Sequence, residues 1–194
     1  MSIKVNYKLR MPEEEIKRLS LQEFDEEYYG DFFGMFSLEA NGCVFGHVEE
    51  EPTEIDFDFF EEWVLGWFSL MNDAVNELYK YGYSAVKVIE EMLSWLEFIE
   101  TEEGFITIRY VSANDDQNET IKGRELTEVN EIYWSVNRIP LNLFYEEVRR
   151  KTAEILDYIY RLNPELFGSR YTLFHLIKKH RQNNENLYSK RKDK

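Results

Sequence analysis

The chain has 194 residues, 43% hydrophobic and 16% aromatic, with a formal net charge of −15. That apolar content excludes a disordered chain, and the length suits one domain with its own core. The single cysteine, Cys43, excludes an internal disulfide.

Elements follow in chain order from hydrophobic spacing. Residues 3–9 alternate and predict an edge strand. Pro12 opens a short helix, PEEEIKRLS, whose acids suit the positive end of its dipole. DFFGMFSLEANGCVFGHV carries two apolar runs around Asn41-Gly42, the pair that favours a type I′ hairpin turn. A long helix is predicted over 57–81. Phe60, Trp63, Val64, Trp67, Met71, Ala74, Val75 and Leu78 form its stripe, Asp58 and Glu61 its cap, and Gly82 its stop. Residues 84–93 read equally as helix or strand. SWLEFIETEEGFITIRYVS predicts a second hairpin around Gly104. A polar loop over 113–124 precedes an alternating strand over 128–138, with Ile132, Trp134 and Val136 on one face. Pro140 opens a second long helix, with Phe144, Val148, Thr152, Ile155 and Ile159 inward and Asn163-Pro164 as its end.

The expected fold class is α+β: an antiparallel sheet built from hairpins, packed by two long helices. One domain is expected over 1–167. A basic C-terminal tail over 168–194 follows, with one more short helix over 170–181 and disorder beyond.

Motifs for catalysis are sparse. There is no glycine-rich phosphate loop and no Gly-x-Ser-x-Gly elbow. Cys43 and His47 are about 13 Å apart along a strand at about 3.3 Å per residue, too far for a nucleophile and its base. His175 and His180 do not share a helical face, and the chain is too poor in His and Cys for zinc. Glu49-Glu50-Glu51 lacks the pattern of a calcium loop. No cofactor or metal is expected. Paired carboxylates can hydrolyse glycosides, but many acids compete for that role here. A small carboxylate enzyme is one alternative function, and a housekeeping domain without a basic partner is another.

The charge is uneven. No Lys or Arg lies between Arg18 and Lys80, while that span holds 16 acids. Its densest part, HVEEEPTEIDFDFFEEWVLGW, sets eight carboxylates among five large aromatic residues. The plain explanation is solubility. The functional one is a surface that repels nucleic acid and anionic lipid and attracts a basic protein. On that reading Glu49, Glu50, Glu51, Glu54, Asp56, Asp58, Glu61 and Glu62 steer the partner, and Phe59 anchors it, with Phe57 and Phe60 as further anchor candidates. The basic tail, with Tyr188 as its one stacking aromatic, is read as a solubilising terminus rather than a nucleic-acid site.

The succession GMFSLEANGCVFG, a tryptophan-bearing helix, WLEFIETEEGFITIRY and VNEIYWSVNRIPLNLFYEEVRRKTAEIL resembles small acidic immunity proteins of bacterial polymorphic toxin systems. The resemblance spans residues 30–160 and transfers no functional residue by position. It implies a cytoplasmic inhibitor of a basic, nuclease-type toxin domain. The N-terminus, MSIKVNYKLRMPEEE, has no apolar core of signal-peptide length. The longest charge-free run, Trp63–Asn72, falls short of the roughly 20 residues that cross a bilayer. Both fit a cytoplasmic protein without a membrane partner.

Overall fold

The computed structural model describes residues 1–190 except Glu90, Met92 and Gln117, with side chains through Glu185. It is α+β. Strand β1 (Ile3–Leu9) precedes the short helices α1 (Glu13–Ile16) and α2 (Leu21–Glu27). Strands β2 (Phe33–Ala40) and β3 (Cys43–Gly46) follow, then helix α3 (Glu54–Phe60), strand β4 (Glu62–Trp63) and helix α4 (Val64–Tyr81). Strands β5 (Tyr83–Lys87), β6 (Ser94–Glu102), β7 (Phe105–Ala113), β8 (Ile121–Lys122) and β9 (Val129–Pro140) come next. The chain ends in helix α5 (Leu141–Leu162), a 3-10 turn over Pro164–Gly168 and helix α6 (Thr172–Lys190).

The strands form two sheets. One has the order β1-β2-β3, with β4 also pairing with β2, and the other runs β8-β5-β6-β7-β9. The β2–β3 hairpin turns at Asn41 (φ 47°) and Gly42 (φ 87°), the two positive-φ positions that a type I′ turn requires. The β6–β7 hairpin turns at Gly104 (φ 82°). Residues 84–87, which the sequence left between helix and strand, belong to β5, antiparallel to β6 from Tyr83↔Ile99 to Lys87↔Trp95.

One long helix differs from expectation. The run 57–81 is two helices, broken at Glu61 and β4. Asp58 caps neither. Thr53 and Asp56 form the capping box of α3. The start of α4 is capped from a distant segment: the Asp31 carboxylate accepts from the Leu65 N–H (2.7 Å) and the Gly66 N–H (2.8 Å). Gly66 leaves the room this requires, since a Cβ there would stand 3.2 Å from Asp31 Oδ2.

The chain divides into two compact units. The first comprises Met1–Lys4, Glu39–Phe45 and Asp73–Glu147. Tyr83, Ala85, Trp95, Val111, Ala113 and Leu126 form a core cluster in it, and Phe98 stacks on Phe144 at 4.8 Å. The second comprises Val5–Leu38, Gly46–Asn72 and the described residues of Val148–Lys194. Here Phe36 stacks on Trp67 at 5.3 Å, and Phe68 meets Phe36 and Tyr7 edge-on. The predicted disorder after residue 181 is not found over the described residues, because α6 runs through Lys190. Leu173 and Leu176 are fully buried, and the buried Asn183 amide donates to Asn72 Oδ1 (2.8 Å). Asn72 in turn donates to Thr152 Oγ1 (2.9 Å), so one buried polar chain ties α4, α5 and α6 together. Residues 191–194 lie outside the described residues.

Candidate docking surface

The acidic segment lies in the second unit. Its helix is specified locally. Thr53 Oγ1 accepts from the Asp56 N–H, and Asp56 Oδ2 accepts from the Thr53 N–H at 2.7 Å. The Thr53 hydroxyl also donates to Asp56 Oδ2 at 2.7 Å. These bonds, the side-chain one foremost, hold the Asp56 carboxyl below the usual carboxylate range. Asp56, expected to steer a partner, thus also helps to build α3.

A basic residue from outside the acidic span organises three more acids. Arg10, just beyond β1, reaches Glu61 (2.9 Å), Glu54 (2.8 Å) and Asp58 (3.2 Å). Its guanidinium also lies 5.9 Å from the centre of the Phe57 ring. The run that looks unbalanced in sequence is thus partly neutralised, and α3 is fastened to β1. Glu62 accepts from the Trp67 indole N–H at 2.9 Å, so it serves the core as well as the surface. Glu49 pairs with His47 at 3.1 Å, and the His47 ring lies 4.2 Å from Phe60. Glu50 and Glu51 are exposed.

The aromatic residues divide sharply. Phe57 is buried, which removes it as an anchor, whereas Phe59 is 78% exposed and Phe60 45%. Ile55, not singled out by the sequence reading, is 66% exposed. Ile55 and Phe59 are four apart in α3 and share its outer face. Exposed Glu54 and Asp58 stand beside them in the helix. The signal for Ile55 was present in that spacing, but the expected helix began two residues after it.

Beside this surface, in the same unit, is an open cleft of about 730 Å³. Residues 6–10 of the β1 segment line it, with Glu49 and Glu50 from the acidic run and Lys151, Glu154 and Tyr158 of α5. Tyr7 packs under the Lys151 ammonium, 5.7 Å from its ring centre. Burial first, then the Glu154 carboxylate, pushes the Tyr7 hydroxyl well above its ordinary range.

The first unit has polar clusters of a different kind. Buried Glu97 accepts from the Tyr83 hydroxyl (2.6 Å) and pairs with Arg109 (2.7 Å). Asp115 pairs with buried Lys122 (2.8 Å) and with Arg124 (3.0 Å). Both bridge strands or loops and serve the fold. Among the described residues no three His, Cys, Asp or Glu side chains gather into a possible metal site, and no helix is long and apolar enough to cross a membrane.

No protein-family model, curated protein or solved structure matches the chain.

Proposed function

We propose that this protein is a binding module that docks a basic protein partner through α3, and that it acts as an immunity-type inhibitor of a nuclease-type toxin domain. The observation that carries the docking surface is the outward pair Ile55 and Phe59, set on a helix whose neighbouring positions are carboxylates. An exposed aromatic ring costs solubility in a free protein and supplies binding energy when a partner covers it. The surrounding acids raise the encounter rate with a cation-rich surface. Nuclease domains present such surfaces because they grip phosphates. The inhibitor role rests on the resemblance to immunity proteins and on this charge complementarity.

The test is co-expression with a basic toxin domain encoded beside the gene. The expected result is rescue of growth by the wild type and weaker rescue by Phe59→Ala at equal protein level. Absence of both rescue and binding overturns the inhibitor reading.

A further inference from the structure

We propose that the cleft along β1 receives an extended basic segment of the partner, which adds to the sheet as a strand beside β1. This deepens the proposed function and rests on it for the partner's identity. The peptide-binding step itself stands on separate observations.

The first observation is topological. β1 is the terminal strand of its sheet, with β2 as its neighbour. In an antiparallel ladder alternate residues turn their N–H and C=O groups away from that neighbour, where another strand can meet them. The second is the place of the cleft. Consecutive residues Asn6, Tyr7, Lys8, Leu9 and Arg10 all line it. Successive strand residues point to opposite faces, so a cleft touching every one of them follows the strand's edge and not one face. A volume of about 730 Å³ accommodates several residues of extended chain.

The third observation is charge. The cations of the cleft are already engaged: Arg10 by Glu54, Asp58 and Glu61, and Lys151 by Glu154 at 2.9 Å. Lys8 reaches the Glu50 backbone carbonyl at 3.5 Å. Glu13, Glu49 and Glu50 also line the walls, Glu13 accepting from the Tyr158 hydroxyl (3.3 Å) and Glu49 paired with His47. The balance left for an incoming chain is acidic, so it selects lysine or arginine side chains. Backbone hydrogen bonds supply the affinity in strand addition and the side-chain walls supply the preference. Arg10 joins this cleft to α3, so one partner can use both.

The probe is a ten-residue peptide of alternating lysine and valine, titrated into the whole protein and followed by backbone amide NMR. Two further peptides carry N-methyl groups on the odd or on the even residues. They keep the charge and lose hydrogen bonding along one edge. Perturbed amides within 6–10 are expected, with about tenfold or greater weakening for one methylated peptide and not the other. Glu13→Gln/Glu50→Gln should weaken the unmethylated peptide several-fold. Equal binding by both methylated peptides overturns strand addition and leaves a charge contact only. No perturbation of residues 6–10 overturns the site. Dimerisation of the free protein, seen by sedimentation and broken by the peptide, assigns the edge to a second copy and also overturns the proposal. Phe59→Ala should leave peptide binding unchanged while weakening a basic partner, which separates failure of this cleft from failure of the α3 surface.

Discussion

Trp67 and Glu50 mark the extremes of what one side chain does here. Trp67 is 4% exposed, stacked on Phe36, and its indole N–H is satisfied by Glu62. Trp67→Ala should cost about 3–5 kcal/mol, and Glu50→Ala less than about 0.5 kcal/mol. Urea melts of the two variants check this, and similar midpoints would contradict the packing described. Asp31 sets a pH dependence. Burial outweighs its three backbone N–H donors and pushes its carboxyl up to about 7. The folded state then holds this proton more tightly than the unfolded chain, whose value is near 3.8. Its contribution to stability therefore falls as pH rises from about 4 to about 7. Asp31→Asn should flatten that part of the pH–stability curve relative to wild type, as read from denaturant midpoints at pH 5 and 7.5. Asp115 has the opposite sign. Arg124 above all, with Lys122 and the Thr127 N–H, holds its carboxyl below the ordinary range, so its contribution is lost as the solution becomes acid.

At the level of elements, periodicity was a good guide where one chemistry ruled a whole segment. The α5 stripe of Phe144, Val148, Thr152, Ile155 and Ile159 is buried throughout, and both hairpins turn at their glycines. It failed where apolar spacing continued across a break. Phe60, Trp63, Val64 and Trp67 keep a helical interval, yet Phe60 belongs to a separate helix and Trp63 to a strand paired with Phe33. What decides the boundary is a cap supplied by Asp31, 34 positions before Leu65, which no local pattern contains. β9 shows a similar limit. One register shift against β7, between Tyr110 and Val111, separates Trp134 from Ile132, so Val136 is buried while Ile132 is 49% exposed, and the expected shared face is lost. α3 carries the proposed docking surface, and its cap is testable. Thr53→Ala should remove about 1 kcal/mol of capping. Amide exchange over 54–60 should quicken while exchange in α5 stays unchanged. Equal protection in both proteins would show that tertiary contacts alone hold α3.

Across the whole molecule, the concentration of acid was legible from the sequence and its arrangement was not. Glu54, Asp58 and Glu61 are drawn together by Arg10, which stands 44 to 51 positions earlier in the chain. The acids differ in role as a result: Asp56 caps α3, Glu62 supports Trp67, and three are braced by one arginine. Neutralising Glu54 or Asp58 would thus disturb α3 as well as its charge. Glu50→Gln/Glu51→Gln is the cleaner electrostatic variant, and its association rate with a basic partner should depend less on salt than the wild type's. The same molecule-wide charge of −15 contributes a background attraction that this variant retains. Packing at the proposed anchor separates a docking face from that background. The most direct test is the dissociation rate of Phe59→Ala from the proposed basic partner, measured by surface binding beside the wild type. With Phe59 as the anchor, dissociation should be faster by about tenfold or more, with association within about twofold. Equal dissociation rates would contradict it and remove α3 from the interface.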